Sequence, residues 1–167
     1  TPVLTFGTSC AESITTSPFI DQFNNLNCWT IMIEGNYSGY IYPEIGEEFS
    51  GNGTMLQTGA SAMIALSSVI DFDVTNAEII FPLRAYEGYA TPVAQVGYVT
   101  DLQDTLSFVP MEIWQIQNSD HWEDYVLNTS EWILDEDSTY YIAIKFMPGT
   151  YGSMYMDNFK IQEMPDC

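Results

Sequence analysis

Two carboxylates stand where strand geometry turns them inward, and the chemistry this opens is cation binding. In Tyr155-Met156-Asp157-Asn158-Phe159-Lys160-Ile161 a period of two puts Tyr155, Asp157, Phe159 and Ile161 on one face and Met156, Asn158 and Lys160 on the other. In Phe19-Ile20-Asp21-Gln22-Phe23 the same count points Asp21 with Phe19 and Phe23. An ionised carboxylate taken out of water costs several kcal/mol unless a hydrogen-bond shell, a base or a metal compensates it. Bases are scarce: against 23 Asp and Glu the chain has only Arg84, Lys145 and Lys160, and the pattern sets Lys160 on the face opposite Asp157. Two solutions stand. Either both acids share a hard, oxygen-seeking cation, calcium, or they sit at strand ends, accepting backbone N–H groups or facing water. In the first case the ligands are the side chains of Asp21 and Asp157, backbone carbonyls around Phe23, and an amide oxygen of Asn24 or Asn158.

Catalytic chemistry finds little to build on. The one histidine, His121, lies between Asp120 and Trp122, and no GxSxG elbow or comparable nucleophile context is present. A two-carboxylate glycosidase needs only acids at the right separation, which a sequence does not give; the chain is read as a non-enzyme. Binding chemistry is better supplied. Tyr37, Tyr40, Tyr42, Tyr86, Tyr89, Trp114, Trp122 and Trp132 are available to stack on sugar rings. Of these, Tyr37, Tyr40, Tyr42 and Tyr89 are the better candidates because they lie in Gly-flanked loops, with Tyr40 and Tyr89 leading as ligand-binding residues. Asp101, Asp104, Asp135, Glu136 and Asp137 read as solvated turn residues.

A net charge of -20 argues against nucleic-acid phosphates and anionic membrane surfaces, both of which are recognised by clustered Lys and Arg, and leaves cations or neutral ligands as the expected partners. No apolar run approaches the roughly 18 residues of a membrane span. The sequence reads as a soluble, mature segment or one excised from a longer chain. Cys10, Cys28 and Cys167 form no CxxC. In an oxidising compartment Cys10–Cys28 and Cys10–Cys167 are rival pairings, and an odd number leaves one thiol free or joined elsewhere.

The elements that must position these groups read as strands. With 167 residues there is room for one domain with a real core. Residues 1–17 resemble a linker or the end of a preceding module, residues 18–164 the domain, and residues 165–167 the start of a junction. Strand candidates follow at Pro18–Phe23, Asn27–Ile33, Thr54–Gln57, Ser61–Leu66, Ala77–Arg84, Val93–Thr100, Met111–Ile116 and Glu123–Leu127, with a short one near Tyr40–Tyr42 inside a long Gly-rich loop. Pro82 within the Ala77–Arg84 run demands an edge or a bulge. The segment Thr139–Met147 alternates best, with Tyr140, Ile142, Ile144 and Phe146 on one side, and reads as half-buried. No segment has a capped helical period. The fold expected is therefore all-β, a two-sheet antiparallel sandwich with jelly-roll connections.

Several local patterns resemble the cleaved-adhesin or choice-of-anchor modules of bacterial surface proteins, the MAM-like group that includes gingipain adhesin domains. They are Phe19–Phe23 followed by Cys28-Trp29, Val96–Asp101 continuing through Ser107–Pro110, Trp122 with Tyr125, Tyr141–Ile144, and Tyr155–Phe159. The resemblance runs over about residues 18–164. It implies a jelly-roll domain, secreted or displayed at the cell surface within a larger multidomain chain, that binds a host or matrix protein or a glycan. It also implies a structural calcium where the first and last strands meet. Family members often carry acids where this chain has Asn24 and Asn158, which lowers the charge of the ligand set. A carbohydrate-binding module appended to a hydrolase is the alternative function, and a structural spacer a third.

Overall fold

The computed structural model describes residues 3–5, 13–14, 17–21, 29–33, 39–43, 54–58, 63–71, 74–86, 91–118, 120–135, 138–146 and 152–164. They form β1 Val3–Thr5, β2 Ser13–Ile14, β3 Phe19–Asp21, β4 Thr30–Ile33, β5 Gly39–Pro43, β6 Thr54–Thr58, β7 Met63–Ile70, β8 Ala77–Ala85, β9 Val93–Val99, β10 Val109–Gln115, β11 Glu123–Asn128, β12 Tyr140–Phe146, β13 Gly152–Met156 and β14 Phe159–Glu163. One 3-10 turn spans Thr105–Ser107, with the Asp104 carboxylate accepting the Leu106 N–H. The strands make two seven-stranded sheets. Sheet A runs β1-β4-β7-β12-β9-β10 with β2 beside β7; sheet B runs β3-β14-β8-β13-β6-β5 with β11 beside β8. Every described pairing is antiparallel except β2 with β7. This is the all-β two-sheet sandwich the alternation requires.

The leading segment, expected to lie outside the domain, contributes to it. β1 pairs with β4 and β2 with β7, and Ile14 is buried in the main core. That core lies between the sheets. β8 sends Ile79, Phe81 and Leu83 inward, β12 sends Ile142 and Ile144, and β14 sends Phe159 and Ile161. An aromatic line crosses it, Trp29 on Phe159 at 5.3 Å, Phe159 on Phe81 at 5.0 Å, Phe81 on Trp114 at 5.5 Å and Trp114 on Tyr125 at 5.4 Å. The expectation of a half-buried β12 is corrected. Ala143 on its other face belongs to a second buried cluster with Met32, Ile64, Leu66 and Val99, against which Leu102, Phe108 and Tyr141 pack. The segment after β9 folds back over sheet A and covers what alternation alone leaves in water.

β13 and β14 lie on the same side of β8 as one interrupted strand. Met156 pairs with Leu83 and Lys160 with Ile80, so Asp157, Asn158 and Phe159 stand against Phe81 and Pro82, one residue too many. That is a β-bulge, and Asn158 takes it up with a φ of 48°, a conformation Asn tolerates better than most side chains. It falls opposite Pro82, whose carbonyl accepts the Asp157 N–H at 3.3 Å and whose ring nitrogen has no hydrogen to offer. A proline in a central strand is thus accommodated by a bulge in its neighbour. The extra residue also breaks the period of two. Met154 and Met156 face the core with Phe159 and Ile161, while Tyr155 turns to the outward face, a correction to the face assigned from the sequence.

Candidate functional site

The outward face of sheet B carries the densest grouping of binding chemistry among the described residues. Since Ile79, Phe81, Leu83 and Ala85 fill the core, Ile80, Pro82 and Arg84 point away from it. Strand register aligns Tyr42, Met55, Tyr155 and Arg84 in one row across β5, β6, β13 and β8. Trp122 precedes β11, whose first residue pairs with Leu83, and so reaches the same row. The Arg84 guanidinium carbon lies 4.7 Å from the centre of the Tyr155 ring and 5.5 Å from that of Trp122. Trp122 and Tyr155 are 6.5 Å apart, and Tyr86 packs on Tyr155 at 5.7 Å. Tyr155 is the floor at 6% exposure, Tyr86 the rim at 36% and Trp122 half-buried between them. A cation held between two ring faces gains from their quadrupoles. The planar fork of an Arg carries N–H donors of the kind that match hydroxyl and carboxylate oxygens.

Of the residues singled out from the sequence, Tyr40 lies in β5 with its backbone paired to Gln57, one row from this cluster. Tyr89 lies outside the described residues, as do Phe23, Asn24 and the three cysteines. Trp114 and Trp132 are core residues. Tyr155 and Arg84 are not singled out by the sequence. Their signal is visible only once the bulge has shifted Tyr155 outward and the register has set it beside Arg84.

Asp21 and Asp157, which the period of two puts on inward faces, lie at one end of the β3–β14 ladder. Asp21, the last residue of β3, pairs with Phe159, two positions from Asp157. Asp157 is fully buried within the bulge and its Oδ1 accepts the Asn158 N–H at 2.7 Å. Asp21 is half-buried and its Oδ2 accepts the Trp29 indole N–H at 2.9 Å. β6 begins here as well, because Thr54 pairs with Met156 beside the bulge. Among the described residues no three His, Cys, Asp or Glu side chains converge as a metal site. A cation at this point would draw on two carboxylates and complete its shell with carbonyl or amide oxygens, a donor set that suits calcium. His121 stays exposed, 2.8 Å from Asp120, whose carboxyl that contact holds below its usual range. No helix among the described residues is long and apolar enough to cross a membrane.

No family model matches the chain and no curated sequence matches it. Solved structures do match in fold. The K1 cleaved adhesin domain of Lys-gingipain from Porphyromonas gingivalis W83 superposes with a TM-score of 0.65 at 11% identity, over 90% of this chain and all of that one (100%). A family 11 carbohydrate-binding module from Clostridium thermocellum, in complex with a beta-1,3-1,4-mixed-linked tetrasaccharide, gives 0.62 at 13% identity over 90% and 98%. The CBM22-1–GH10 modules of the Clostridium thermocellum xylanase 10B, complexed with xylohexaose, give 0.60 at 12% identity over 88% of this chain and 28% of that one. At these identities the likeness establishes the sandwich fold.

Proposed function

We propose that this chain is a non-catalytic, extracellular or surface-displayed binding module within a larger multidomain protein. Its ligand is a glycan, taken on the outward face of sheet B. The observation that carries the reading is the Tyr86–Tyr155–Arg84–Trp122 cluster. Ring faces with a guanidinium fixed among them combine an apolar surface for sugar C–H groups with directed donors for hydroxyls, the usual make-up of a small-molecule site. Glycoside hydrolysis instead needs two carboxyl groups facing each other across the bond, and the cluster supplies chemistry for holding a sugar. One module this chain resembles in fold is seen with a tetrasaccharide, a second belongs to a CBM22-1–GH10 chain complexed with xylohexaose, and a third is an adhesin domain, which supports the binding reading.

A structural calcium is part of the proposal. Asp21 and Asp157 would hold it with Asn158 and backbone carbonyls, and the ion would supply charge compensation for a buried carboxylate and a clip between the first and last strands of sheet B. The binding test is titration of soluble β-glucan and xylan oligosaccharides into the chain, beside Trp122→Ala and Tyr86→Ala. Loss of one stacking ring lowers affinity about two- to twelvefold by the usual worth of aromatic contacts. Unchanged affinity in both variants would refute the platform, and turnover of any of these sugars would refute the non-catalytic reading.

A further inference from the structure

The outward face of sheet B continues beyond the aromatic cluster. Four residues back along β8 from Arg84, about 13 Å at the rise of a strand, the register aligns Ile20, Lys160, Ile80 and Val126 in a row. Ile20 is 52% and Val126 44% exposed, so this row is open to solvent. No acid stands in it. Lys160 makes no ion pair among the described residues, in a chain with 23 carboxylates and three bases. Two of those three bases, Arg84 and Lys160, therefore share one face. The third, Lys145, lies on the outward side of sheet A with its ammonium 5.5 Å from the Phe108 ring centre. Among the described residues the acids of the sheet B face are Glu78, which accepts the Gln162 amide at 3.0 Å, and Asp124 across from Pro82, while Asp157 is buried in the bulge.

We infer that the glycan taken by this face is an acidic one, a chain containing hexuronic acid units. The aromatic cluster stacks a sugar ring, and Lys160, further along the same ligand, takes a uronate carboxylate. This rests on the glycan-binding reading and adds the charge of the ligand. The net charge of -20 does not oppose it, because at physiological ionic strength charges are screened over about 8 Å. A carboxylate set against Lys160 is governed by its immediate surroundings. Within its own row those surroundings are aliphatic: Ile20, Ile80 and Val126 offer contact to the apolar face of a sugar ring, and Glu78 and Asp124 stand one row away on either side.

The test uses matched pairs of tetrasaccharides, β-1,4-glucuronate, α-1,4-galacturonate and β-1,4-mannuronate, each beside its carboxyl-reduced form, titrated calorimetrically into the full chain and its variants. Within each pair only the carboxylate differs. At least one uronate should bind about tenfold more tightly than its reduced form, the worth of one hydrogen bond to a charged group, and that margin should shrink as salt is raised. Lys160→Met should bring the uronate affinity down to that of the reduced form, with an unchanged melting temperature confirming the fold. Trp122→Ala should weaken both members of the pair. Equal binding within every pair, or a preference that survives in Lys160→Met, overturns the acidic ligand and leaves the platform standing. Binding of both forms that survives Trp122→Ala overturns the platform itself, and no binding in any pair overturns both.

Discussion

Tyr125 closes the sandwich at the edge where β10 and β11 meet, and its hydroxyl is held in a way that couples stability to alkaline pH. It donates to Glu123 Oε2 at 3.1 Å, while Glu123 also accepts the Asn118 amide and the Tyr125 ring packs on Trp114. Burial, followed by the hydrogen bond to Glu123 and that carboxylate's charge, pushes the phenol above its usual range, and burial does the same to Tyr141. A free tyrosine ionises near pH 10. As pH passes that point the unfolded chain releases these protons while the folded one keeps them, so the unfolded state binds fewer protons and stability falls with rising pH. The urea midpoint is therefore expected to be flat from neutrality to about pH 9 and to decline between about pH 9 and 11. Tyr125→Phe should make that decline shallower. A midpoint that does not move over this range, or a decline identical in Tyr125→Phe, contradicts the assignment.

At the scale of elements, the β9–β10 pair shows how one residue fixes a register. Gly97 pairs with Pro110, and a Cβ on Gly97 would stand 2.0 Å from the Val109 carbonyl oxygen and 3.1 Å from the Met111 nitrogen, both backbone atoms that no rotamer change moves. β10 is irregular just here, with a register shift between Pro110 and Glu112. Gly97→Ala must push the strands apart. Overpacking of this kind costs about 1–3 kcal/mol or more, hence a melting temperature lower by several degrees in a domain of this size. Hydrogen exchange should quicken in β9 and β10 before β14. Wild-type exchange in β9 and β10 would show that the strands give way without cost. The strands themselves were legible in the sequence, because apolar alternation in Tyr140–Phe146 and Met111–Ile116 is the physical imprint of a face, and Pro82 correctly demanded a bulge or an edge. What alternation does not carry is an inserted residue. Counting by twos through Asp157-Asn158 put Tyr155 in the core, whereas the bulge opposite Pro82 turns it outward to meet Arg84. Nor does alternation say which loop folds back, and so the second buried layer on sheet A was missed. The Arg84 cluster draws on two strands and two loops, a grouping that only register defines.

For the molecule as a whole, the balance between 23 acids and three bases sets the problem that a cation would solve. Net charge of this size repels itself and opposes compaction, and the compensation matters most where a carboxylate is buried. That place is the junction of β3, the start of β6 and the Asp157-Asn158 bulge, where Asp21 and Asp157 come to one end of a ladder. Because β3 lies early in the chain and β14 late, an ion held there closes a loop spanning nearly the whole domain and binds the folded form alone. Stability should then rise with the logarithm of free calcium, by about 2.7 kcal/mol at a hundred times the dissociation constant, or roughly 5–10 °C in melting temperature for a domain of this size. Magnesium should do little, since its stricter octahedral shell fits poorly to carboxylates and carbonyls fixed by strands. Asp157→Ala and the milder Asp21→Asn should both flatten the calcium dependence, whereas Asp135→Ala, at an exposed turn, should preserve it. A melting temperature indifferent to chelator, with no calcium heat in calorimetry, would remove the ion and leave Asp21 to the Trp29 indole and Asp157 to the Asn158 N–H as their compensation.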